Sequence, residues 1–98
     1  MIEKKITIKS IKGLHARPCA LLVKMLSKSK SDVKILKDDM EVDAKSIMSI
    51  LILAAGRGTE LNFVINGQDE QNVSRELEEF FNSDFEEMNA EEINTNEK

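Results

Sequence analysis

Tryptophan and tyrosine are absent from the 98 residues, and there are only four phenylalanines, one histidine, one cysteine and one proline. Each shortage excludes something. A lone Cys19 rules out an intrachain disulfide, and one Cys with one His cannot complete a structural zinc site. No metal and no cofactor is therefore expected. Stacking platforms for single-stranded nucleic acid need aromatics; here three of the four Phe lie at position 80 or beyond. The longest strongly apolar stretch, Ile47 to Ala55, is broken by Ser49 and falls far short of the ~20 residues of a membrane span. The opening Met1-Ile2-Glu3-Lys4-Lys5 leads into no apolar run of the signal-peptide kind. The expectation is a reduced, cytoplasmic protein without membrane insertion. At this length one domain with one core is expected, without a deep cleft between domains.

Charge is unevenly spread. The formal total is −4, which speaks against a nucleic-acid binder. Residues 1–37 hold ten Lys/Arg against two acids, a local charge of +8. Residues 38–83 carry −7 and residues 84–98 carry −5. The first 83 residues alone are thus +1, with the basic charge at the front and much of the acidity in a C-terminal extension.

The apolar periodicity changes along the chain. Ile2 to Lys9 alternates, with Ile6 and Ile8 on one face, as a half-buried strand does. Ser10 to Gly13 breaks it. From Ala16 to Ser29, Cys19, Leu22, Val23 and Leu26 recur at i, i+3, i+4, i+7, one face of a helix. Pro18 sits in the first turn, where its missing N–H does no damage. Val33 and Ile35 mark a second strand, Asp38-Asp39 a turn, and Met40 to Val42 a short third strand. Ser46 is placed to cap a helix over Ile47 to Leu53. Leu61, Phe63 and Ile65 alternate as a fourth strand, closed by Asn66-Gly67. Asp69 or a near neighbour opens a last helix carrying Val73, Leu77, Phe80 and Phe81. The order β-α-β-β-α-β-α predicts a two-layer α+β domain over residues 1–83, its helices covering one face of a four-stranded sheet. Residues 84–98 are expected to form a frayed or disordered acidic extension.

His15 is the only imidazole. It stands between a glycine-containing break and a helix start. A helix start presents unpaired N–H groups and the positive end of the macrodipole, and anions gain about 0.3–1 kcal/mol there when exposed. The amides of Ala16 and Arg17 and the guanidinium fork of Arg17 suit phosphate oxygens. His15 and Arg17 could therefore form a phosphoryl-bearing imidazole with its own anion cradle. The same placement also suits a histidine that caps the helix or packs at a loop edge.

Gly13-Leu14-His15-Ala16-Arg17-Pro18 resembles the phosphorylation-site signature of HPr, the histidine-containing phosphocarrier family of the bacterial sugar phosphotransferase system. Asp43-Ala44-Lys45-Ser46-Ile47-Met48 is similar to that family's second signature, around a regulatory serine. Leu53-Ala54-Ala55-Gly56-Arg57-Gly58-Thr59-Glu60 resembles the segment leading to its last strand. The spacing agrees without gaps over residues 1–83. The resemblance implies an open-faced sandwich with an antiparallel sheet. It implies that His15 accepts a phosphoryl group from phosphorylated enzyme I, itself charged by phosphoenolpyruvate, and passes it to the A domains of sugar permeases. Arg17 would stabilise the phosphate. The chain would act as carrier and substrate, without being an enzyme in its own right. Ser46, a common kind of helix cap on bare sequence, would by resemblance be a target of HPr kinase/phosphorylase and a contact for transcriptional regulators.

The helix wheel turns Ala20, Leu21 and Lys24 away from the core beside His15, and leaves Ile47, Met48 and Leu51 partly outward. Exposed apolar residues close together suggest an interaction patch, and the family docks its partners at these positions. Cys19 is expected as a small buried residue. Lys12, Ala20 and Lys24 depart from the common family pattern, and the acidic extension lies outside it. A monomer is expected. Two other readings use the same residues: a transport-independent phosphotransfer regulator, and a non-catalytic regulatory adaptor in which only Ser46 matters. A regulatory branch of the family lacks the active histidine, so His15 argues against the adaptor.

Overall fold

The computed structural model describes residues 1–9, 13–53 and 56–82. Seven elements follow in order: β1 (Ile2–Thr7), α1 (Ala16–Ser27), β2 (Asp32–Lys37), β3 (Met40–Asp43), α2 (Ile47–Ile52), β4 (Glu60–Asn66) and α3 (Glu70–Asn82). The four strands form one antiparallel sheet in the order β1-β4-β2-β3, with three helices packed on it. This is the expected α+β sandwich. The spatial order could not be read from the sequence, because it depends on β4 inserting between β1 and β2.

Register aligns the apolar rows. Phe63 lies opposite Lys4 on one side and Ile35 on the other, and Ile65 opposite Ile2 and Val33. Leu61, Phe63, Ile65, Val33 and Ile35 are essentially inaccessible to water. Helix α1 adds Cys19, Leu22 and Leu26, and α3 adds Val73, Leu77, Phe80 and Phe81. Phe81 leans on Phe63 at 5.8 Å between ring centroids and meets Phe80 edge-on at 5.1 Å. Burying one such side chain stabilises by about 1.5–3 kcal/mol. Helix propensity differs by less than about 1 kcal/mol per residue, so core packing decides where these helices sit.

The ends of elements differ slightly from the sequence expectation. β1 stops at Thr7, not Lys9. Ile8 leaves the regular ladder but stays anchored, its N–H donating to Thr59 O (2.8 Å) and its carbonyl accepting from Gly58 N (2.7 Å). α1 stops at Ser27; the N–H of Ser29 and its Oγ both donate to Leu26 O and close the last turn. Val23 is half-buried, short of the full burial its spacing suggests. The two-residue turn between β2 and β3 holds Asp38 at φ +54°, a left-handed position that Asp tolerates better than most residues. The expected extension over residues 84–98 lies outside the described residues.

A polar lock joins the loop before β2 to the start of α3. The Asp69 carboxylate accepts from the Ser31 hydroxyl and from Lys30 N (2.9 Å), and these bonds hold its pKa below the usual carboxylate range. Glu70 is lowered too, by accepting from Gly67 N (3.1 Å) and from the Met1 amino group (3.0 Å). Both carboxylates favour the fold while ionised. Their contribution is present above the unfolded-state pKa and is lost as pH falls through the folded value. Gly67 completes the lock: a Cβ there would lie 2.5 Å from the Ser31 Cα, a backbone atom that cannot swing aside.

Two outcomes follow. Gly67→Ala should cost about 1–3 kcal/mol, as overpacking does, read as a lower urea midpoint with unchanged m. Asp69→Asn should flatten the loss of stability below about pH 4, in thermal melts across an acid series; an unchanged slope would remove Asp69 from the acid limb.

Candidate functional site

The first turn of α1 is set by what lies beneath it. Gly13 takes φ +71°, open to glycine and strained for a side chain, and turns the chain so that Leu14 enters the core. Cys19 Sγ reaches back to Leu14 O at 3.6 Å. His15 follows as the N-cap, with extended backbone (φ −97°, ψ −170°), and its carbonyl accepts from Cys19 N at 3.0 Å. Its side chain makes no capping bond, which sets aside the reading of His15 as a side-chain helix cap. The ring is half-buried, with Nε2 turned away from water.

Ala16 and Arg17 are exposed on the first turn, and Pro18 is buried below them. Their amides lie where no preceding helical carbonyl can reach them. Helix α1 carries no acid in its first turn to compete for that positive end. His15, the two amides and the Arg17 guanidinium therefore share one helix start. Lys12 lies outside the described residues, as do Ala54 and Ala55.

Ser46 caps α2: its Oγ accepts from Ser49 N at 3.3 Å, and its carbonyl accepts from Ile50 N at 3.1 Å. A six-residue helix is far too short to hold itself together. It is held by buried Ile50 and, at its C-terminal end, by Lys37, whose Nζ donates to Leu53 O at 2.8 Å. Lys37 comes from β2, on the inward row of Val33 and Ile35. A cation on a helix C-terminus opposes the negative end of the dipole. Sequence reading missed this role, because the helix end arrives from another part of the chain.

Helices α1 and α2 pack side by side. Ala20 and Lys24 are exposed on α1. Leu51, expected partly outward, is half-buried; Leu21, expected to point away from the core, is half-buried and packs against it. The correction has a simple cause: α2 lies alongside α1 and covers part of the face that a single helix wheel leaves outward. Ile47 and Met48 are exposed, Met48 at 70%, and Ile52 joins them at 62%. Ile52 was not picked out from the sequence, although it stands four residues after Met48 and so shares its side of the helix.

Among the described residues there is no group of three or more His, Cys, Asp or Glu able to hold a metal ion. No described helix is long and apolar enough to cross a membrane.

Residues 2–83 match the family described as PTS HPr component phosphorylation site. The phosphocarrier protein HPr of Treponema pallidum is 39% identical over 87 residues, 89% of this chain and 99% of that protein. The HPr-like protein Crh of Bacillus subtilis is 40% identical over 77 residues, 79% of this chain and 91% of that one. The crystal structure of HPr-C-His from Thermoanaerobacter tengcongensis superposes with a TM-score of 0.81 at 40% identity, covering 85% of this chain and 93% of that one. The chain belongs to the HPr family of phosphocarriers.

Cys19 plays no part at this surface. Burial pushes its thiol up to about 11, so at neutral pH it is neither ionised nor accessible. The native protein should leave a thiol reagent such as Ellman's unreacted at pH 8 and release one equivalent of chromophore on unfolding in urea. Prompt reaction without denaturant would contradict this burial.

Proposed function

We propose that this chain is a phosphocarrier of the phosphoenolpyruvate-dependent sugar phosphotransferase system, with His15 as the residue that bears the phosphoryl group. The observation that carries the reading is the position of His15 as N-cap of α1, directly before the exposed first-turn residues Ala16 and Arg17. In HPr proteins the phosphoryl group sits on Nδ1, and here Nδ1 of His15 supplies the lone pair. It attacks the phosphorus carried by phosphorylated enzyme I; the N–P bond forms as the bond to enzyme I breaks, and that electron pair stays with enzyme I. Transfer onward to the A domains of sugar permeases reverses the roles. A dianion at a partly buried helix start gains up to ~2 kcal/mol from the dipole and amides, and Arg17 adds a charge-assisted contact. That is enough to orient a transferable phosphoryl group without trapping it.

The chain is a carrier, regenerated by its partners and not an enzyme in its own right, and it acts in the cytoplasm as a monomer. Its partner face is built from Ala20, Leu21, Lys24, Ile47, Met48 and Leu51, with Ile52 added on its exposure. Ser46 is a regulatory site for HPr kinase/phosphorylase. Phosphate there would add about −1.5 to −2 charges at the start of α2, replace the Ser46–Ser49 cap with stronger acceptors, and set negative charge on the face that meets enzyme I.

The test uses purified protein, cognate enzyme I and labelled phosphoenolpyruvate. Wild type should gain an acid-labile phosphate and His15→Ala none. Arg17→Ala should slow transfer tenfold or more, for a lost contact worth about 1.5–3 kcal/mol, while melting like wild type. Label retained by His15→Ala would overturn the assignment. With ATP and a cognate kinase, Ser46 should gain an acid-stable phosphate, and enzyme I transfer should then slow.

A further inference from the structure

The sheet order leaves β1 at an edge, with β4 filling its ladder on one side only. A bare strand edge offers unpaired backbone groups to other chains, and lysines are a common protection. Here the protection is dense. Lys4, Lys5 and Lys9 border a cleft of about 230 Å³ that β1 shares with the C-terminal end of α3, where Glu78, Phe81 and Asn82 form the far wall. Lys4 is half-buried and pairs with Glu78 at 3.5 Å; Lys5 and Lys9 are exposed and make no ion pair among the described residues. Three cations against one acid leave the cleft at +2.

The chain leaves α3 at this same cleft, since Asn82 is part of its wall. Residues 84–98 then carry six acids and one lysine, with Phe85, Met88 and Ile93 between them. They lie beyond the family match, which ends at residue 83. A run of acids just after a helix is poorly placed, because the C-terminal end of the macrodipole is negative. The last turn of α3 has no basic residue to offset it. An excess of cations faces the end of α3 across the shared cleft, on the β1 side. Reach is ample: fifteen extended residues span about 50 Å, whereas the six residues of β1 span about 20 Å.

We propose that the acidic segment 84–98 docks along the free edge of β1, its carboxylates on Lys4, Lys5 and Lys9. The site is separate from the start of α1. It neutralises the basic charge of β1 while leaving Arg17 and Lys24 open to acidic partners, and it covers the strand edge that borders the chain's own exit from α3.

The test uses the full chain with Ala90→Cys carrying a nitroxide label; buried Cys19 stays unlabelled in the native protein. At low salt the amides of Lys4 and Lys5 should lose more than half their signal relative to the reduced label. The signal should return in 1 M NaCl, where the Debye length falls to about 3 Å. Lys4→Gln/Lys5→Gln/Lys9→Gln should abolish the loss. Replacing the six tail acids with their amides should do the same, which keeps the test decisive if the lysine variant folds poorly. Broadening confined to residues just before the segment, or falling on His15 to Lys24, would overturn the proposal.

Discussion

Phe63 is the point on which the layers converge. It lies on β4 between Lys4 of β1 and Ile35 of β2, and its ring meets Phe81 of α3. The inward row of β4 therefore joins the first strand, the second strand and the last helix at once. Leu61 and Ile65 extend that row to either side, and both are fully buried. If β4 were out of register by one residue, Asn62 and Val64 would enter the core in their place. Neither a helix cap, worth about 0.5–2 kcal/mol, nor a surface ion pair, worth about 1 kcal/mol or less, has comparable leverage.

The functional surface inherits its geometry from that core. Leu22 and Leu26 fix the roll of α1 on the sheet, and Leu14 fixes where the helix begins. His15 is then presented by neighbours that cannot move without opening the interior. The same logic holds α2, which is too short to persist alone. Ile50 anchors it from below, and Ser46 and Lys37 finish its two ends. A phosphate at either helix start would thus meet a backbone already in place, so little ordering would be needed at the moment of transfer.

Much of this was readable in the sequence. Alternation marked β1 and β4, and the i, i+3, i+4, i+7 spacing marked α1, because burial on one face imposes those periods. The string around His15 located the candidate site. What escaped depends on elements that meet only in three dimensions. Lys37 looks like an ordinary strand lysine until the end of α2 arrives above it. Leu21 looks outward until α2 covers it. The inward turn of the imidazole's Nε2 depends on packing around a loop, to which residue spacing is blind. Ile52 was missed for a different reason: in a six-residue helix the apolar pattern is too short to define a buried side.

The edge position of β1 has a consequence for how the molecule is made. Its partner strand, β4, begins only at Glu60, so during synthesis the first strand emerges with its ladder unfilled and Ile6 and Ile8 uncovered. Translation adds roughly 5–20 residues per second, and the β2–β3 hairpin can form long before the sheet can close. Over that interval the lysines of β1 lie between an incomplete sheet and the nascent chains of neighbouring ribosomes on the same message.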